Sequence, residues 1–214
     1  FQHRQDELQT LQQWLQTERC RLVAILGLGG MGKTYLAVKA GQLLQAQFDR
    51  VIWRSLRHAP SLEGLLTDML AGFTGQPAPQ ADLTQLVKAL QAERCLIILD
   101  NLESVLQPDQ RAGAWLPGYE GYGELLRLCG QTTHQSSLLL TSREKPAELA
   151  AMAGNAAVRT LTLRGCSDVA LAILHTRGLS GTTDQFYQLC QRYGGMPLAI
   201  TMIATLIQDL FSGD

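Results

Sequence analysis

The chain has 214 residues, enough for one large α/β domain or for such a domain with a small helical annex. With 46% hydrophobic and 17% charged residues it reads as globular rather than disordered, and a net charge of −1 gives no electrostatic case for a nucleic-acid or membrane surface. No run reaches the roughly 18 apolar residues of a membrane span, no signal-peptide pattern opens the chain, and a start at Phe1 reads as an excised piece.

In chain order, Leu8, Leu11, Trp14 and Leu15 recur at helical spacing, which predicts an amphipathic helix from about Asp6. The apolar run Leu22-Val23-Ala24-Ile25-Leu26 predicts a strand. It leads into Gly27-Leu28-Gly29-Gly30-Met31-Gly32-Lys33-Thr34, and a helix with Leu36, Ala37, Ala40, Leu43 and Leu44 on one face follows. Val51-Ile52-Trp53-Arg54-Ser55-Leu56 has the β-branched and aromatic character of a second strand. Ser61 then caps a helix with Leu62, Leu65, Leu66, Met69 and Phe73. Residues 74–80, with Pro77 and Pro79, read as a loop, after which Asp82 caps a helix with Leu83, Leu86, Val87 and Leu90.

Cys95-Leu96-Ile97-Ile98-Leu99-Asp100 is an unbroken apolar run ending in an acid, as in a central parallel strand covered on both faces. Residues 103–123, with Trp115 and Tyr119, read as a long loop of a functional or mobile kind. Leu138-Leu139-Leu140 makes a fourth strand ending at Thr141-Ser142-Arg143, and residues 157–163 a weaker fifth. From Arg164 onward three helical patterns follow without a strand: one capped near Ser167, one with Phe186, Leu189, Cys190 and Tyr193, and one from Pro197 through Ile203, Leu206, Ile207 and Leu210. Strands alternating with helices imply a three-layer α/β fold with a five-stranded parallel sheet, here followed by a small all-helical subdomain with its boundary at residue 164. The cysteines Cys20, Cys95, Cys129, Cys166 and Cys190 are odd in number and widely spaced, which fits reduced thiols in a cytoplasmic protein better than disulfides or zinc.

The stretch of residues 27–34 satisfies G-x-x-x-x-G-K-[ST] between a strand and a helix, the context of a phosphate-binding P-loop. Gly27, Gly29, Gly30 and Gly32 let the backbone curl around phosphate oxygens, and the helix start adds its positive dipole end. Lys33 can reach β- and γ-phosphates, and the Thr34 hydroxyl can hold Mg²⁺. Asp100, at the end of a buried strand, completes a nucleotide site as a Mg²⁺ residue; the plainer alternative is a turn cap. Glu103 reads either as the base that polarises a water or as a solvated carboxylate. Arg143 leaves the fourth strand at the edge where open α/β sheets bind ligands, and reads either as a γ-phosphate contact or as a surface ion pair.

These motifs resemble the NB-ARC nucleotide-binding module of the STAND class of signalling P-loop NTPases, relatives of AAA+ proteins. The phosphate loop is similar to its G-x-GG-x-GKT, residues 48–56 to its FD-x-hhW strand and residues 96–103 to its Walker B strand. Thr141-Ser142-Arg143 resembles its sensor, and Gly194-Gly195-Met196-Pro197-Leu198 its G-G-L-P-L helix start. Phe1-Gln2-His3-Arg4…Glu7-Leu8 resembles its opening F-x-G-R-x-x-E-L, with His3 in place of Gly; Asn101 replaces the frequent second acid after Asp100. The resemblance implies a switch that binds ADP or ATP with Mg²⁺, hydrolyses slowly, self-associates in the full-length protein and has the other domains of the same chain as partners. It places Arg4, Met31, Tyr35, Pro197 and Leu198 beside the nucleotide, and puts the end at residue 214 ahead of a winged-helix portion. A turnover AAA+-type ATPase or a P-loop kinase is the enzymatic alternative, and an interaction scaffold with a structural nucleotide the other.

Overall fold

The structure is a computed structural model that describes residues 4–75, 81–108 and 113–211. Phe1, Gln2, His3, Pro77, Pro79 and Asp214 lie outside the described residues. Five strands, β1 (Leu22–Leu26), β2 (Arg50–Ser55), β3 (Cys95–Asp100), β4 (Ser137–Ser142) and β5 (Val158–Thr162), form one sheet in the order β2-β3-β4-β1-β5, every pair parallel. The helices are α1 (Gln5–Gln12), α2 (Lys33–Leu44), α3 (Leu62–Thr74), α4 (Leu83–Ala92), α5 (Gly121–Gln131), α6 (Ala147–Ala151), α7 (Ser167–Thr176), α8 (Thr183–Arg192) and α9 (Pro197–Phe211).

The unbroken apolar strands are explained by two cores. Leu22, Ala24 and Leu26 of β1, Ile97 and Leu99 of β3, and Leu138 and Leu140 of β4 face α3, α4 and α5. Val23 and Ile25, Leu96 and Ile98, and Leu139 face the other way, against α1 and α2. Alternate residues of one strand therefore feed opposite layers, and both faces of the central strands are largely apolar. Helices α7, α8 and α9 bury Ala170, Leu174, Phe186, Cys190, Ile200 and Ala204 in a third, separate cluster. Along α9, Leu198, Met202, Leu206 and Leu210 recur every fourth residue and are exposed.

Ser61 and Asp82 cap as expected, accepting from the backbone N–H groups of Gly64 at 3.2 Å and Gln85 at 2.7 Å. Ser167 does not cap. It is the first residue of α7, and Cys166 holds the cap position without a side-chain capping hydrogen bond. Leu43 points outward from α2, where Leu36, Ala37, Ala40 and Leu44 complete the buried stripe.

The stretch after β3 is not an open loop in its described parts. Leu106 pairs with Trp115, whose indole N–H donates to Glu148, while the hydroxyls of Tyr119 and Tyr122 donate to the carbonyls of Ala59 and Pro60. All five cysteines lie among the described residues, and none is in a disulfide. Burial pushes Cys95 up to about 11 and Cys129 up to about 12, so both stay protonated at neutral pH.

Candidate functional site

Because β4 lies between β1 and β3, the carboxyl ends of all three strands meet at one sheet edge. Gly27 follows β1, Asp100 ends β3 and Arg143 follows β4, with Leu26 and Ser142 in register and the Gly27 N–H donating to the Ser142 carbonyl at 3.2 Å. The loop from Gly27 turns sharply. Gly30 and Gly32 have φ of 78° and 88°, which side chains of L residues rarely adopt, and a Cβ on Gly27 would sit 2.5 Å from the Leu163 carbonyl oxygen. Around Gly32 no atom lies within 4 Å of where a Cβ would be, so the backbone there borders open space at the first turn of α2.

Lys33 is buried, and its Nζ donates to the carbonyls of Gly27 at 2.7 Å and Leu28 at 3.0 Å, leaving one of three protons for an incoming oxygen. Burial lowers its pKa first of all; Glu103 raises it, Arg143 lowers it further, and Asp100 raises it.

Next to it the Thr34 hydroxyl donates to Asp100 Oδ1 at 2.8 Å, and the Thr141 hydroxyl donates to the same oxygen at 2.6 Å. Thr141 Oγ1 also accepts from the Asn101 N–H at 3.0 Å, at the residue where β3 leaves the sheet with φ of 66°. Asp100 is thus an oriented carboxylate, held by one hydroxyl from α2 and one from β4. Thr141 is one site residue that composition and spacing do not single out within the sensor triplet. Its signal is a polar side chain inside a run of leucines, one strand away from the acid. The donor set of two hard oxygens, Thr34 Oγ1 and Asp100, suits Mg²⁺, which takes few protein ligands beside phosphate and water. No group of three or more His, Cys, Asp or Glu able to hold a metal occurs among the described residues.

Glu103 stands on a single 3-10 turn, Leu102–Val105, fixed by the complete burial of Leu102 and Val105. Its carboxylate accepts from Arg143 twice, from Nε at 3.1 Å and from the backbone N–H at 3.3 Å. The two residues were read separately in the sequence; in space they are one ion pair. It crosses the phosphate loop: a Cβ on Gly29 would lie 3.2 Å from Arg143 Cζ.

On the other side of the loop opens a pocket of about 490 Å³, lined by Arg4, Met31, Gly32, Tyr35 and Pro197 among others. Arg4 is buried, ion-paired with Glu7 at 2.6 Å and donating to the Arg164 carbonyl at 2.7 Å, so it ties the wall to the segment that joins β5 to α7. Val169, Ala172, Ile173 and Thr176 of α7 also line it and are not foreseen from the sequence; their 3.6-residue period is legible, but a stripe lining a pocket looks like one facing a core. Leu198 does not line the pocket. It is 52% exposed, its N–H donates to the Gly30 carbonyl at 3.3 Å, and a Cβ on Gly30 would come within 2.6 Å of its own Cβ. The start of α9 is therefore fastened to the phosphate loop through backbone contact.

The NB-ARC domain family matches residues 4–110, which contain the phosphate loop, Asp100 and Glu103. An uncharacterized WD repeat-containing protein of Nostoc sp. is 41% identical over 231 residues, an alignment that covers 100% of this chain and 18% of that protein. Among solved structures, a Walker-type ATPase of Pyrococcus abyssi superimposes with a TM-score of 0.65 at 12% identity, covering 99% of this chain and 68% of that one. Domain III of the Thermotoga maritima replication initiation protein DnaA gives a TM-score of 0.55 at 12% identity, covering 99% of this chain and 86% of that one. At such identities these two are likenesses of fold. No helix among the described residues is long and apolar enough to cross a membrane. With half of its length matched by one family and the phosphate loop closed around a buried lysine, the chain belongs to the NB-ARC family, a nucleotide-binding domain of the P-loop ATPase type.

Proposed function

We propose that the chain is the adenine-nucleotide switch module of a cytoplasmic STAND regulator. Residues 1–164 would form the nucleotide-binding unit and residues 165–214 a helical subdomain that responds to the nucleotide. The observation that carries this reading is the continuity of two chemistries at one turn. Met31 and Gly32 belong to the phosphate loop and also line the apolar pocket, so a phosphate chain on one side and a flat base on the other fit a single ligand. Gly27, Gly29, Gly30, Gly32, Lys33 and Thr34 would hold the phosphates, and Arg4, Met31, Tyr35 and Pro197 would hold the base and sugar. Leu198 would act through its bond to Gly30 rather than by touching the base. Thr34 and Asp100 would hold Mg²⁺, which neutralises phosphate charge when bound.

A ligand that touches both Met31 and Pro197 stabilises the arrangement in which α7, α8 and α9 close on the sheet, by its differential affinity for that arrangement. ADP would favour this closed form. ATP exchange would open it, and self-association of the longer chain would follow, with the other domains of that chain as further partners. The exposed row Leu198, Met202, Leu206 and Leu210 is surface such an opening can use.

Pro197→Ala tests the closing role. Proline at the first turn of a helix contributes little to the helix itself, so the circular dichroism spectrum should be unchanged. ADP binding should weaken, and the ADP-induced rise in Tm should shrink. Wild-type binding with a wild-type thermal shift would assign Pro197 to helix initiation alone.

Asp100→Ala should reduce the affinity for ATP measured with Mg²⁺ more than the affinity for ADP measured without it, because its role is through the metal. Calorimetry in the two buffers reads this. Equal losses would mean that Asp100 acts only by holding Thr34 and Thr141.

A further inference from the structure

Arg143 leaves β4 at the sheet edge with its side chain 62% exposed, whereas the Glu103 side chain that receives it is only 17% exposed. The carboxylate sits on a turn held by Leu102 and Val105, both fully buried, and closed by the Leu106 N–H donating to the Glu103 carbonyl at 3.2 Å. One partner is anchored and the other is a long arm. Both carboxylate oxygens are used, Oε1 by Nε and Oε2 by the backbone N–H of Arg143. The arm passes over Gly29, where the missing side chain makes its room. Lys33 feels both charges, the carboxylate pulling its pKa up and the guanidinium pushing it down, which places the pair within electrostatic range of the phosphate site.

We propose that Glu103 is a specificity-determining residue that sets the preference between ATP and ADP by holding Arg143, so that a terminal phosphate has to take the guanidinium from a carboxylate. The proposal rests on the nucleotide reading above. A carboxylate and a γ-phosphate are anions competing for one cation, and both use charge-assisted hydrogen bonds of the same kind. ADP, which has no third phosphate, leaves the pair intact and gains nothing from breaking it. ATP binds with an apparent affinity reduced by the fraction of molecules in which Arg143 is held away. Glu103 therefore biases the site toward the diphosphate, apart from any part it has in hydrolysis.

The experiment is a double-mutant cycle in the intact protein, reading the ratio of ATP to ADP affinity by calorimetry with Mg²⁺ present. Glu103→Gln keeps the shape and removes the charge. Because the Arg143 end of the pair is solvent-exposed, the ratio should rise by roughly 1.5- to 5-fold. In an Arg143→Ala background the same change should leave the ratio where Arg143→Ala alone puts it. A ratio unmoved by Glu103→Gln overturns the proposal, as does a rise that persists without Arg143, which would be only the general effect of removing a negative charge. Should the wild-type protein bind neither nucleotide, the nucleotide reading itself fails. Should it bind both while the ratio stays fixed, only the role of Glu103 fails.

Discussion

Lys33→Ala should lose most of the affinity for ADP while the protein stays folded. The ammonium is buried and bonded to two carbonyls of its own loop, so in the wild type it is already held where the loop curls. A ligand phosphate needs only the remaining proton, and little side-chain entropy is left to lose on binding. A charge-assisted hydrogen bond contributes about 1.5–3 kcal/mol, or roughly 10- to 150-fold in affinity. Truncation also leaves the Gly27 and Leu28 carbonyls facing the ligand without the cation between them. Glu103 and Asp100, both within range of Lys33, would then repel phosphate with less opposition. Isothermal calorimetry checks this directly, and an unchanged Kd for ADP would remove the phosphates from this loop.

Gly165→Ala should be comparably damaging, far from any phosphate. A Cβ at this position would overlap the Gly194 carbonyl oxygen and lie 3.1 Å from the Gly195 carbonyl carbon. Both partners are backbone and cannot rotate away. The turn is itself constrained: Gly194 and Gly195 have φ of 59° and 61°, the Gly195 N–H donates to the Cys190 carbonyl at 2.7 Å, and the Cys166 N–H donates to the Gly195 carbonyl at 3.0 Å. Two residues further on, Pro197 enters the pocket wall and Leu198 bonds to Gly30. A methyl group at 165 therefore pushes the start of α9 off the phosphate loop. Overpacking of this kind costs about 1–3 kcal/mol, occasionally more. For a chain of this size that is roughly 2–4 °C in Tm per kcal/mol, together with weaker ADP binding. Gly178→Ala is the control, because Gly178 has φ of 67° but no atom within 4 Å, so it carries backbone strain without a clash. Should Gly165→Ala match wild type in Tm and Kd, the junction does not couple the helices to the nucleotide.

The parts of the site legible in the sequence are those whose chemistry is local. The phosphate loop needs its glycines and lysine within eight positions, and β3 announces itself by six buried residues ending in an acid. Pairings across the sheet were not legible. Glu103 and Arg143 are forty residues apart, and nothing in either neighbourhood tells that β4 lies beside β3 and brings them together. Thr141 was hidden for the same reason. Helix α5 was not read at all, since Gly121, Gly123 and Gly130 dilute its helical signal. The structure gives those glycines a use: a Cβ on Gly123 would overlap Glu148 and lie 2.8 Å from the Trp115 indole nitrogen, and one on Gly121 would lie 2.7 Å from Leu62 Cδ2. Tertiary packing overrides propensity there. The stripe of α7 that lines the pocket is not legible as a pocket wall, because periodicity tells which residues share a face and not what the face meets.

In the proposed function this pocket and loop hold an adenine nucleotide. Mass spectrometry of the small molecules released when the purified protein is denatured, after incubation with mixed nucleotides and desalting, tests it most directly. ADP should be released from the wild type, with a large loss of it from Lys33→Ala. A guanine nucleotide in its place, or no nucleotide retained by the wild type, would contradict it.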